Sequence, residues 1–415
     1  MAFSLRAGCA LSVICNGGVV VSITIEDILT LKSAQSFTLV AGKGGLTRPI
    51  KMVDILDFGW DKEKEYSATF ADNSSLFDED SFVISSLMFA NNDTNKLYQT
   101  VLRLIMCGVS GLAFKPVFYA TLPSEICELA NEKNFSIFRI EDNVTYREII
   151  CDISDAIKLN QDIMLSSGCL SRMLHEKLSM EDLSGLVARI SNHFRGNARV
   201  TLIVPEGKKT DFSIDQTVRN FRLYDEFTGK AALCGFTTES VPGLALIVTA
   251  DASDASKFDV ITNHALTTCG MDHRAVRIAH SDIHPTFTAL NRCVIEAHQS
   301  LLAGRVLGKS CIHYRDIGTL SFLIPSADNS YVRTYMQTFL APIVSNEENI
   351  NTAVAFVRAE GDFDEAARSL CLHKNTLRYR IKKIHKLLSP ELSDEAFYES
   401  LATAIKIHMI CQLRN

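Results

Sequence analysis

The chain has 415 residues, 47% of them hydrophobic and 22% charged, with a formal net charge of −6 at pH 7. That length exceeds what one core organises, so two to three domains of roughly 100–200 residues each are expected. No run approaches the ~18 uninterrupted apolar residues of a membrane helix, so no membrane span is expected. The twelve cysteines lie scattered from Cys9 to Cys411 without a CxxC pair. That pattern suggests neither a zinc cage nor a disulfide framework, and reduced, buried thiols in a cytoplasmic protein are expected.

The opening stretch, MAFSLRAGCALSVICNGGVVV, carries one Arg and a short apolar run. It has the outline of a weak signal peptide, but the positive region is minimal and no secreted-type cysteine pattern follows. A disordered or misannotated leader over residues 1–21 is expected instead, with translation starting between Val19 and Val21.

From residue 22 to 150 two periods alternate. TIEDIL is followed by VAGKGGLTRPI, where Gly42, Gly44 and Gly45 hint at a phosphate loop, but Gly follows the GK and a tight turn between strands fits better. SFVISSLMF, GLAFKP and FSIFRI are short strand-like runs. Between them, Leu97, Val101 and Leu104 share one helical face that ends at Gly108, and Pro123 starts a second helix with Ile126 and Leu129 inward. Strand, helix, strand, helix, strand predicts a parallel sheet. Ligands bind such sheets at the carboxyl ends of strands, here Phe89 to Asp93, Lys115 and Arg139 to Asp142. Phe89, Asn91, Lys115 and Arg139 are the candidate ligand contacts, and polar loops without a ligand are the equal alternative.

Residues 151–342 read as one α+β domain, with a helix over Ser179 to Phe194 and strands in RVTLIVP and GLALIVTA. AGRVLGKS (303–310) satisfies a permissive phosphate-loop pattern, but the chemistry needs a strand before the loop and a helix after it. Here the helical spacing precedes Lys309, and CIHYRDIGTLSFLI after it reads as strand with a turn at Asp316 to Gly318. Gly308 is therefore expected to end a helix. His280 and His284 are spaced for a metal on a helix, but Pro285 ends the segment and no HExxH frame occurs. With no GxSxG elbow or local cysteine-protease signature either, no catalytic residues, metal site or cofactor are expected.

Residues 343–415 carry the charge anomaly. HKNTLRYRIKKIHKLL places six Lys and Arg in sixteen residues, and no acid occurs from Ala366 to Pro390. A first helix ends near Gly361, Asp362 or Asp364 caps a short second one through Leu370, and a third begins near Lys374. Leu377, Ile381, Ile384 and Leu388 fall in one arc of the third helix. Asn375, Arg378, Tyr379, Lys382 and Lys386 fall opposite, flanked by Lys374, Arg380 and Lys383. Ala366 and Ala367 permit the close approach that a helix-turn-helix requires. Such a helix enters the major groove N-terminus first, bringing His373, Lys374, Asn375, Thr376 and Arg378 to base edges, while Arg380 and the later lysines suit phosphates. A solvated charged face or a membrane-surface helix are the bland alternatives. In the final helix, Phe397, Leu401 and Ile405 share a face and are expected to complete this domain.

The run DEAARSLCLHKNTLRYRIKKI resembles the C-terminal helix-turn-helix of the purine catabolism regulator (PucR) and sugar diacid regulator (CdaR) family of bacterial transcription factors. It departs from the family's usual form chiefly at Lys374, where Arg is common. TIEDIL, AGKGGLTRPI, FVISS, GVSGLAFKP and LANEKNFSIF resemble the family's N-terminal sensor domain. AGRVLGKSCIHYRDIGTLSFL resembles the end of its middle domain, here GGDEF-like or GAF-like and without catalysis. The resemblance implies a cytoplasmic one-component regulator that senses a small-molecule effector and binds double-stranded operator DNA as a homodimer or higher homo-oligomer. The expected fold class is multidomain: an N-terminal α/β parallel-sheet domain, an α+β middle domain and an all-α helix-turn-helix domain. The competing reading is a nucleotide-binding or nucleotide-converting enzyme with an accessory basic helix.

Overall fold

A computed structural model describes residues 23–57, 77–141, 143–206, 214–222, 224–238, 241–251, 254–271 and 275–414. The proposed leader and Asp142 lie outside these residues. The chain divides into two compact units, residues 1–163 and 164–415.

The first unit is built on a five-stranded sheet. Its strands are β1 (Phe37–Ala41), β2 (Met52–Ile55), β3 (Ser81–Ser85), β4 (Gly111–Phe114) and β5 (Ser136–Ile140), in spatial order β1-β5-β4-β3-β2. The four strands from β2 to β5 run parallel, as the alternating pattern predicts, and β1 closes one edge antiparallel to β5. A short helix, α1 (Ile25–Ile28), starts with a capping box: Thr24 Oγ1 accepts from the Asp27 amide at 3.3 Å, and Asp27 accepts from the Thr24 amide at 2.8 Å.

Two longer helices follow, α2 (Thr94–Met106) and α3 (Ser124–Glu132). They cover one face of the sheet, burying Leu97, Val101, Leu104, Ile126 and Leu129 against Leu112, Phe114 and Ile137. The other face receives α1 and the start of a 30-residue helix, α4 (Tyr146–His175), through Ile25, Ile28, Ile149 and Ile153. The glycine-rich stretch after β1 is a tight turn. Gly42 has φ +75°, and a Cβ there would lie 1.8 Å from the Phe135 carbonyl oxygen, so no other residue fits.

The second unit begins with the last turns of α4, whose Leu170 and Met173 join its core, and continues with α5 (Met180–Ile190), β6 (Asn197–Pro205), α6 (Ile214–Arg222), β7 (Ala231–Thr238), β8 (Val241–Ala250), α7 (Ala255–Thr268), β9 (Val276–His280), α8 (Thr286–Leu307) and β10 (Cys311–His313). The sheet order is β10-β9-β6-β8-β7, antiparallel except for β9 and β10, with His284–Pro285 adding a short pairing to β6. Helix α8 lies across one face, packing Leu290, Val294 and Leu301 against Ala198, Val200 and Leu202.

One sequence expectation changes here. Only Cys311–His313 of CIHYRDIGTLSFLI is strand, and Leu320–Ser326 form a helix, α9. Leu320, Leu323 and Ile324 are buried at helical spacing, a period that outweighs the strand-like composition. His280 and His284 sit on β9 and the short strand after it rather than on a helix. His280 stacks on His313 at 4.4 Å, and His284 Nε2 meets Glu296 at 2.9 Å. No group of three metal-ligating side chains occurs among the described residues.

The chain ends in helices α10 (Ser330–Leu340), α11 (Glu347–Arg358), α12 (Phe363–Ser369), α13 (Lys374–Leu388) and α14 (Asp394–Arg414). No helix among the described residues is long and apolar enough to cross a membrane.

Candidate nucleic-acid interface

Local chemistry fixes each turn of the α11–α13 unit. Helix α11 ends with Glu360 (φ 52°) and Gly361 (φ 88°) in the left-handed region, where the Gly361 amide reaches back to the Phe356 carbonyl at 3.0 Å. Asp362 then caps α12, accepting from the Asp364 and Glu365 amides at 2.7 and 3.1 Å. The Glu365 and Asp364 amides together hold the Asp362 carboxyl below its ordinary pKa. The connector between α12 and α13 repeats the device: Cys371 has φ 54°, and the Leu372 amide bonds the Ala367 carbonyl at 2.9 Å.

Ala366 and Ala367 are buried where α12 and α13 meet, as the small residues predict. Leu377, Ile381 and Ile384 are buried along α13, while Leu388 is only partly so. Phe397, Leu401 and Ile405 of α14 are fully buried in the core that they share with the α13 stripe. His385 ties the two helices together, stacking on Phe397 at 4.1 Å and meeting the Leu392 carbonyl at 3.1 Å.

The opposite face of α13 is open. Asn375, Thr376, Arg378, Tyr379, Lys382, Lys383 and Lys386 are all exposed. His373 caps the helix, its Nδ1 accepting from the Asn375 amide at 3.2 Å, so a neutral ring carries its proton on the outward Nε2. Arg378 lies 5.5 Å over the Phe363 ring, a cation–π contact that holds the guanidinium near the helix start.

Two cations of the motif have partners inside the domain. Lys374 bonds Asp364 of α12, and Arg380, half-buried, bonds Glu348 of α11 at 2.6 Å. Glu348 and Phe363 escaped the sequence reading, which took Asp364 only as a candidate helix cap, because a partner ten or thirty-two positions away obeys no local spacing rule. The four candidate ligand contacts of the first unit do not converge. Phe89 is buried in the core, and Asn91 is exposed with φ 45°. Arg139 lines a shallow cavity of ≈ 230 Å³ with Thr38, Pro116 and Glu141. Lys115 pairs with Ile140 in the continued register and so projects from the opposite face to Arg139.

The permissive phosphate loop proves to be a helix end. Gly308 terminates α8 in the left-handed region with φ 72°, and Lys309 pairs with Glu360 at 3.3 Å. Its polarity is the reverse of a phosphate cradle, which uses amides at a helix N-terminus.

A short capped helix and a longer one joined by a tight left-handed connector, with a basic outward face on the second, define a helix-turn-helix DNA-binding domain. Residues 350–407 match the PucR C-terminal helix-turn-helix domain, and residues 27–157 match the purine catabolism regulatory protein-like family. The chain thus resembles PucR-type transcriptional regulators in those two stretches, residues 27–157 and 350–407. No curated protein matches it. A solved structure, a regulator of polyketide synthase expression from Bifidobacterium adolescentis, is 16% identical, with 59% of this chain and 97% of that one covered at a TM-score of 0.30.

Proposed function

We propose that the protein is a cytoplasmic bacterial regulator that senses a small metabolite and controls catabolic or transport genes. Residues 22–150 act as the sensor, 151–342 as a middle domain without catalysis, and 343–415 as the operator-binding domain. The effector binds in the N-terminal or middle domain of a homodimer, or a higher homo-oligomer, and alters the spacing of two α13 helices on paired half-sites. His373, Lys374, Asn375, Thr376 and Arg378 read base edges, while Arg380, Lys382, Lys383 and Lys386 meet phosphates, with Tyr379 between the two sets. The observation that carries this reading is the open basic face of α13, presented on a chain of net charge −6.

Enrichment of genomic fragments by the purified protein at physiological salt tests it. A reproducible paired motif beside catabolic or transport genes is the expected result. Sequence-blind, salt-sensitive retention would reopen the nucleotide-converting alternative, which then requires GTP or ATP turnover abolished by Lys309→Ala.

A further inference from the structure

Three of the Lys and Arg side chains of α13 have a neighbour inside the domain, and they are held in two different ways. Lys374 bonds the Asp364 carboxylate and Arg380 bonds that of Glu348, so each has its charge offset and a donor occupied. Arg378 instead lies over the Phe363 ring, 5.5 Å from the centroid, and makes no hydrogen bond or ion pair among the described residues. A ring face attracts a cation through its quadrupole without neutralising it as a carboxylate does. Arg378 is thereby restrained while its charge and its donor fork stay available, the state that a bidentate contact with guanine O6 and N7 needs.

The ring that holds Arg378 is itself fixed. Phe363 opens α12 and is half-buried. Its ring meets Phe356 of α11 at 4.9 Å between centroids, and Phe356 meets Tyr398 of α14 at 5.4 Å. Tyr398 meets Phe397 at 5.5 Å, and Phe397 stacks on His385 at 4.1 Å. The chain of rings therefore starts beneath Arg378 and returns to the last turn of α13 at His385. Asp364, the next residue after Phe363, holds Lys374, which lies one turn before Arg378. Two neighbouring residues of α12 thus grip two successive turns of α13.

We propose that Phe363 is a positioning residue for sequence specificity, fixing the Arg378 guanidinium in the orientation that recognises guanine in the major groove. Without the ring the Arg378 side chain regains its rotamers, and the loss of that freedom then weakens the base contact. The charge is unchanged, and so is the attraction to phosphate. The assignment rests on the reading above in which α13 reads base edges, and it adds the residue that sets the geometry of one such contact.

The test uses the full chain and a randomised operator library, selected at several salt concentrations by the wild type and by Arg378, Phe363 and double variants. Arg378→Ala marks the base pair that Arg378 reads. Phe363→Leu and Phe363→Met keep an apolar contact to Phe356 but no ring face. Both are expected to lower the preference for guanine at that same base pair by roughly three- to tenfold, with the other positions and the salt slope as in the wild type. Phe363→Tyr keeps the ring and should retain the preference, and Phe363→Leu added to Arg378→Ala should relax it no further. Unchanged preference in both ringless variants overturns the assignment. So does a loss spread evenly over all positions together with a lower thermal midpoint, which marks a packing role alone. The same selection separates this failure from that of the underlying reading. If Arg378→Ala alters no base preference, base reading by Arg378 fails and the positioning role fails with it. If Arg378→Ala relaxes one position and the ringless variants do not, only the role of Phe363 is removed.

Discussion

On α13 some cations already have a partner within the domain while others are open to solvent. On α13, Arg380 is held by Glu348, so Arg380→Ala should cost stability by up to about 1 kcal/mol, an exposed-pair magnitude read as a drop in thermal midpoint. Two histidines shielded from solvent to different degrees give a second expectation. Burial first, and then His313 and Arg199, lower the His280 pKa to about 3, and burial followed by Arg414 lowers that of His298 to about 4. Asp259 opposes the shift at His280, and Arg315 adds to it. Both rings stay neutral in the fold but protonate below pH ~6.5 once unfolded. The unfolded state therefore binds more protons in that window, and stability falls as pH drops from 6.5, by up to about 1.4 kcal/mol per pH unit for each ring. A thermal midpoint that declines between pH 6.5 and 5, with a shallower slope for His280→Gln, is the expected result; a flat wild-type profile would contradict it.

At the scale of elements, the helix-turn-helix was legible because its determinants are local. Asp362 caps α12, the Ala366 and Ala367 pair admits α13, and the spacing of Leu377, Ile381 and Ile384 sets its buried face. Ala367→Leu should overpack that contact at a cost of about 1–3 kcal/mol and lower DNA affinity with it. Asp362→Ala should cost about 1 kcal/mol through the lost cap. Thermal midpoints and DNA titration of the two variants check both expectations, and Ala367→Leu should be the more damaging. Elements fixed by distant pairing were less visible. Strand β1 is exposed at Thr38, Leu39 and Val40 and exists through its antiparallel ladder with β5. Strand β7 is held in the same way by β8. The candidate ligand contacts were chosen by strand ends alone, and the two faces of the sheet, which separate Lys115 from Arg139, follow only from register.

At the scale of the molecule, the C-terminal helices share a core with the sheet of their own unit. Arg358 Nε bonds the Val306 carbonyl at 3.0 Å, Lys406 Nζ reaches Thr319 Oγ1 at 3.1 Å, and Arg414 Nη2 reaches the Ile324 carbonyl at 3.0 Å. A fragment of residues 343–415 should accordingly unfold at a lower temperature than one of residues 164–415, since α14 packs against α8, α9 and α10 as well as α11. Equal midpoints would show that the helical domain stands alone. The central claim, that the outward face of α13 reads sequence as well as supplying charge, is tested most directly by binding the wild type, Arg378→Ala and Lys386→Ala to a randomised operator library across a salt series. Arg378→Ala is expected to relax base preference at one position per half-site, while Lys386→Ala weakens all sequences about equally and lowers the salt slope by about 1. Equal, sequence-independent losses for both variants would contradict the account.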